Sequence, residues 1–149
     1  MQLSLRAAVA AAVSVAIARA LALPYPLYAM IAAVIVTDVD PVRTRSLALP
    51  RLVGTVIGAS LGAIASRWLP PGELALGVSV ALSMLACHLV GRKDSATLAG
   101  YVGGIVLLEH ASDPWLYGVG RLAETALGLA VAVAVSLVPK LLETEGDRR

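Results

Sequence analysis

Four stretches of this chain, residues 3–23, 51–69, 73–91 and 119–142, stay apolar for about as long as a helix needs to cross a bilayer. A spanning helix takes about 20 residues at a rise of about 1.5 Å each. Two shorter apolar stretches, residues 26–37 and 95–110, lie among them. The breaks carry residues that stop or start helices: LPYP at 23–26, DVDPVRTRSLALP at 38–50, LPPGE at 69–73, GRKD at 91–94 and HASDPW at 110–115. Composition agrees. Hydrophobic residues make up 58% of the 149 and charged ones 15%, whereas a soluble domain carries about a quarter charged residues. Such a chain cannot cover itself with polar groups in water. The expected fold is therefore all-α: an integral membrane bundle of six transmembrane helices over residues 1–142, followed by a polar tail, 143–149.

Several classes fall away. The net charge of +2 is small and the basic residues form no single patch, so nucleic acid is not an expected partner. Cys87 is alone, which rules out an internal disulfide; it reads as a small packing residue. No phosphate loop, nucleophile–base pair or metal-ligand spacing occurs, and His88 and His110 make no recognisable metal site. An enzyme is not expected, nor a cofactor or metal. The first stretch, with Arg6 and small residues at Ala18, Ala20 and Ala22, resembles a signal peptide, but no soluble domain follows it. It reads as the first membrane helix, with cleavage as the alternative.

Orientation follows from Lys and Arg. With the N-terminus inside, nine of the 12 basic residues fall on the inner side, and only Arg19, Arg67 and Arg121 on the outer. Six spans then leave both termini in the cytoplasm and the bilayer as the chain's principal partner.

RLVGTVIG at residue 51 returns as RLAETALG at residue 121. Shifted by seventy, Arg51, Leu52, Thr55, Gly58, Ser66 and Pro70 meet Arg121, Leu122, Thr125, Gly128, Ser136 and, one residue early, Pro139. The short stretches also correspond. Each half then holds three spans, an odd number, so the second half enters the membrane upside down: an inverted repeat of the kind many transporters use. The competing explanation is chance likeness among helices rich in Ala, Leu, Val and Gly. Short or glycine-interrupted spans at matching places in two halves point to a central binding site.

Gly54, Gly58 and Gly62 recur every four residues, and Gly100, Gly104 and Gly128 lie in the later stretches. Such glycines let helices approach closely. An ionisable group at the bilayer centre costs about 2.5–3.5 kcal/mol on insertion scales, so each one there needs a reason. Glu124 is the deepest candidate. Arg121, three residues earlier, shares its face, and either a structural ion pair or a substrate role fits. Arg51 and Arg121 suit a carboxylate or a lipid phosphate. Thr55 and Thr125 lie one turn deeper and can bond a ligand or the preceding backbone. Asp38, Asp40 and Glu109 end the short stretches and read either as proton or cation sites or as plain helix-end charges; Asp38, Glu109 and Glu124 are the candidates for proton coupling. His88 and His110 are residue types that titrate near neutrality, or else interfacial side chains. Tyr25, Tyr28, Trp68, Trp115 and Tyr117 read as an interfacial belt.

The stretch LRAAVAAAVSVAIARALALPYPLYAMIAAVIVTDVDPVRTRSLALPRLVGTVIGASLG resembles the membrane domain of the fusaric acid resistance and aromatic acid exporter families. An early Arg before a long Ala/Leu helix, a short helix ending in IVT and the pattern R-x-x-G-T-x-x-G carry the likeness, which extends from residue 5 to about 142. Arg51, Gly54, Thr55 and Gly58 match the motif; Arg121, Thr125 and Gly128 are its looser echo. The resemblance implies a six-helix unit exporting small aromatic carboxylic acids on the proton gradient. Larger members carry a cytoplasmic domain and often a second membrane half. Because this chain stops at Arg149, the expectation is a homo-oligomer, most simply a dimer. The leading reading is a small exporter-like protein of the bacterial inner membrane moving aromatic or other organic anions, with Arg51, Arg121, Thr55 and Thr125 holding the substrate. The alternative is a non-transporting scaffold or accessory subunit.

Overall fold

The computed structural model describes residues 1–70, 72–109 and 113–138. The expectations placed on the side chain of Glu109, on His110, on Pro139 and on the tail lie outside the described residues. Among those described there is no strand, and six α-helices follow one another: α1 (Gln2–Ala20), α2 (Pro26–Val36), α3 (Pro41–Trp68), α4 (Glu73–Leu89), α5 (Ala96–Glu109) and α6 (Pro114–Leu137). One 3₁₀ turn, Lys93–Ser95, leads into α5.

The helix ends have local causes. Pro26, Pro41 and Pro114 open α2, α3 and α6, where a missing N–H is harmless and the fixed φ suits a helix. Asp40 caps α3 by accepting from the Val42 N–H at 2.9 Å, and Asp113 caps α6 by accepting from the Leu116 N–H at 3.4 Å. Helices α1 and α4 stop in the same way. After α1, the Leu23 N–H reaches back to the Ala18 carbonyl with Ala22 at φ 52°. After α4, the Arg92 N–H reaches the Cys87 carbonyl with Gly91 at φ 72°. Both are left-handed stops that satisfy the last carbonyls.

Two boundaries depart from the sequence reading. Residues 38–50 were expected to be a loop, but only 37–40 are; α3 begins at Pro41 and carries Pro50 inside it. The prolines that suggested a break act differently, one at the first helical position and one as a tolerated interruption. Likewise α6 begins at Pro114, five residues before the expected start at 119. Length also differs. Three helices, α1, α3 and α6, are long and apolar enough to cross a membrane, whereas α4 has 17 residues rather than the expected full span, and α2 has 11.

The third and sixth helices pack across the bundle. Helix α6 lies along α2 and α1, α3 lies along α5 and α4, and α3 and α6 run along each other. The contacts are made of small residues, which suits a medium where packing replaces the hydrophobic drive. A Cβ on Gly58 would strike the backbone of Ala99, and one on Gly62 would stand 2.6 Å from the Gly103 carbonyl. A Cβ on Gly54 would stand 2.8 Å from the Ser95 carbonyl, one on Gly100 would meet Met84 and one on Gly104 Leu76. Gly128 stands against Ala29. Burial follows the same spacing in α1 and α4. Arg6, Ala10, Ser14 and Ala18 are buried in α1, and Ala75, Ser79, Ser83 and Cys87 in α4, each 69 residues after its α1 counterpart.

Candidate functional site

Three arginines are at least nine-tenths buried, and none forms an ion pair among the described residues: Arg6 (5% exposed), Arg51 (8%) and Arg121 (3%). Each has a different answer to its desolvation. Arg6, on α1, donates to the carbonyls of Val39 (3.1 Å), Ser136 (3.0 Å) and Val138 (3.0 Å). It closes the free carbonyl end of α6 and ties it to the α2–α3 connection, a favourable place for a cation.

Arg121 sits among tyrosines. Its guanidinium lies 3.4 Å from the centroid of the Tyr28 ring and donates to the Tyr117 hydroxyl at 3.2 Å, which donates in turn to the Tyr28 hydroxyl at 2.9 Å. Tyr25 packs edge-on to Tyr117, ring centroids 5.3 Å apart. Ring face and hydroxyl together stabilise a buried cation. Tyr25, Tyr28 and Tyr117, expected as interfacial anchors, meet in one cluster, with Tyr117 3% exposed and the other two half-buried. Trp68 and Trp115 remain exposed, at the C-terminal end of α3 and the N-terminal end of α6.

Arg51 is the least satisfied. Its Nη1 donates to the Tyr101 hydroxyl at 3.3 Å, and its buried Nε has no partner. It borders a crevice of about 560 Å³ between α3 and the start of α5, walled by Ile35, Pro50, Asp94, Thr97 and Tyr101. The Thr55 hydroxyl donates to the Arg51 carbonyl at 2.9 Å, so it is spent on the backbone.

Glu124 is fully buried on α6. One carboxylate oxygen accepts from the Tyr25 N–H at the start of α2, and the other has no partner. The pairing with Arg121 that the spacing allowed does not form: the arginine turns to the tyrosines and the carboxylate to the helix end. Seventy residues earlier, α3 has Gly54 in place of a carboxylate. Thr125 is buried beside it. Asp38 pairs with Arg43 at 3.3 Å and accepts from the Asp40 N–H, at the end of α2 opposite Glu124. His88 is exposed and donates from Nδ1 to the Met84 carbonyl. Arg51 and Arg121 are apart, because α3 and α6 run antiparallel, residues 45–52 facing 126–137 and residues 56–60 facing 115–122. Among the described residues no three His, Cys, Asp or Glu side chains cluster as metal ligands.

Sequence reasoning passed over Arg6 as a functional position and Tyr101 altogether. An arginine inside an apolar run was the available signal for Arg6. Tyr101, in the middle of a glycine-rich stretch, offered none.

Six packed helices, three of them able to span a bilayer, with buried charges turned inward, define an all-helical integral membrane protein. A family model described as fusaric acid resistance protein-like matches residues 11–135, and the chain belongs to that family. No curated protein and no solved structure matches it.

Proposed function

We propose that this protein is an exporter-like carrier of small organic acids, aromatic carboxylates among them, built from two inverted three-helix halves in the bacterial inner membrane with both termini in the cytoplasm. One observation carries the reading: Arg51 is a buried cation without a carboxylate partner, beside an aromatic ring, at the wall of an open crevice. A ligand carboxylate would supply the missing charge, and Tyr101 would face its ring. The close contacts of α3 on α5 and of α6 on α2, made through Gly58 and Gly128, support the two-half arrangement.

The halves differ in a way that suits alternating access. The Arg51 crevice is open, while its counterpart seventy residues on is filled by Tyr28 and Tyr117 packed on Arg121. With the Lys/Arg-rich end inside, this is a state open to the cytoplasm and shut by the tyrosine cluster on the other side. Glu124, with one oxygen unpartnered, is the proton carrier in this scheme, and Asp38, tied to Arg43, is a fixed charge.

The test is binding of benzoate and substituted benzoates to the purified chain, followed by calorimetry or thermal shift. Arg51→Gln is expected to weaken binding at least tenfold, the equivalent of about 1.5–3 kcal/mol for a charged hydrogen bond. Arg51→Lys restores only part of it, lacking the fork. If no aromatic acid binds the unaltered protein, the reading gives way to a scaffold or accessory subunit.

A further inference from the structure

Beside the Arg51 crevice lies a second depression of different character. It runs between the first part of α3 and the last three turns of α6, with a volume of about 590 Å³. Its walls include Ala48, Leu49, Leu52, Ala130, Val133 and Leu137; among the described residues Arg45 is the one with a polar side chain in its lining. Arg45 is exposed and forms no hydrogen bond or ion pair among the described residues, unlike its neighbour Arg43.

The dimensions suggest the occupant. Along α6 the groove extends from Ala126 to Leu137, about 16 Å at 1.5 Å per residue. Half of a bilayer's hydrocarbon core is about 15 Å. The groove is thus about one leaflet deep and, among the described residues, apolar apart from Arg45 at the end where α6 stops. The equivalent space at the other end of the α3–α6 pair holds only about 90 Å³. There Trp115, seventy residues after Arg45, stands at its mouth with Val56 and Val119 alongside. One leaflet is offered a slot with a positive mouth, the other a surface closed by an indole.

We propose that the α3–α6 groove seats an acyl chain of an anionic phospholipid whose phosphate is held by Arg45. A free guanidinium above an apolar slot matches the two parts of such a lipid in order, and basic pockets between membrane helices take anionic headgroups for the same reason. The inference rests on the chain lying in a bilayer and is independent of transport.

Native mass spectrometry of the purified full chain tests it, with phosphatidylglycerol and phosphatidylcholine of the same acyl chains added in turn. One phosphatidylglycerol is expected to be retained per chain, about fivefold more strongly than phosphatidylcholine. Arg45→Gln, at an exposed side chain without partners, folds and removes that preference. Ala130→Trp fills the slot and removes retention of both lipids. Equal retention of both lipids by the unaltered protein and by Arg45→Gln overturns the proposal. So does efficient disulfide formation between two copies carrying Ala130→Cys in lipid vesicles, since a second copy would then occupy the groove.

Discussion

Gly128 lies so close to Ala29 that a Cβ on it would meet the Ala29 carbonyl oxygen. Gly58 stands in the same relation to Ala99. Each residue of the second contact is offset by seventy from its counterpart in the first, forward for one and backward for the other. Shared composition alone makes helices alike; it does not choose which residues meet. The two inverted halves proposed above, exchanging α3 with α6 and α2 with α5, would account for both contacts at once.

These contacts make a graded prediction. Gly58→Ala and Gly128→Ala each force two backbones apart and are expected to destabilise the protein by about 1–3 kcal/mol. Gly77→Ala, in α4, meets nothing within 4 Å and is expected to be neutral or to gain up to about 1 kcal/mol from helix propensity. Thermal unfolding in detergent compares the three. Equal effects at all positions would remove the packing argument.

The stops after α1 and α4 give a cheaper test. Ala22 holds φ 52° with a Cβ, where Gly91 holds φ 72° without one. A left-handed residue with a Cβ costs about 1–2 kcal/mol. Ala22→Gly is therefore expected to raise the midpoint of thermal unfolding and Gly91→Ala to lower it. The direction is the readout: glycine is expected to be the more stable residue at both sites, whereas its ordinary backbone-entropy cost would make alanine the more stable at both.

The helices were legible because apolar runs and their punctuation are local. The seventy-residue echo was legible because Arg, Thr and Gly recur in register. The start of α3 was not, since Pro41 is read equally well as a breaker or as a first helical residue, and only the Asp40 cap decides between them. The tyrosine cluster was invisible for another reason: Tyr28 and Tyr117 meet across 89 residues, and each alone resembles an interfacial anchor. Arg6 binds only carbonyls, which every residue possesses, so no partner could be picked out from sequence.

Arg6 consequently carries a structural prediction. Arg6→Leu would leave the carbonyls of Val39, Ser136 and Val138 without their donor and is expected to cost about 3 kcal/mol or more. Arg6→Lys recovers part of this with a single ammonium but cannot reach all three acceptors as a fork does. Unfolding midpoints of the two variants should rank wild type, Lys, Leu. A Leu variant as stable as wild type would show that these bonds contribute nothing net.

In the proposed carrier the tyrosine cluster is expected to act as the closed side. Tyr117→Phe removes the acceptor for Arg121 and the donor to Tyr28, weakening the plug while keeping its apolar bulk. Gly120, whose Cβ would lie 3.4 Å from Pro24, offers a probe site beside it. With Cys87→Ser, which removes the chain's one cysteine, and Gly120→Cys introduced, a membrane-impermeant thiol reagent should react faster in the Tyr117→Phe background. Unchanged labelling would mean that the cluster is static packing.

Glu124 separates the structural role of a buried carboxylate from its proton-carrying one. Glu124→Gln retains a carbonyl oxygen for the Tyr25 N–H, so the start of α2 stays satisfied. It also puts an amide where the second oxygen has no partner. Stability is expected to change by no more than about 1 kcal/mol, since the hydrogen bond from Tyr25 is kept. Glu124→Ala leaves the Tyr25 N–H unpaired and should lose about 1–3 kcal/mol. Transport responds differently. In proteoliposomes loaded with an aromatic acid, both variants should lose acceleration of efflux by an imposed proton gradient, although only the Ala variant is less stable. If Glu124→Gln keeps the full response to the gradient, the carboxylate is a helix cap and nothing more, and the coupling group must be sought elsewhere in the bundle.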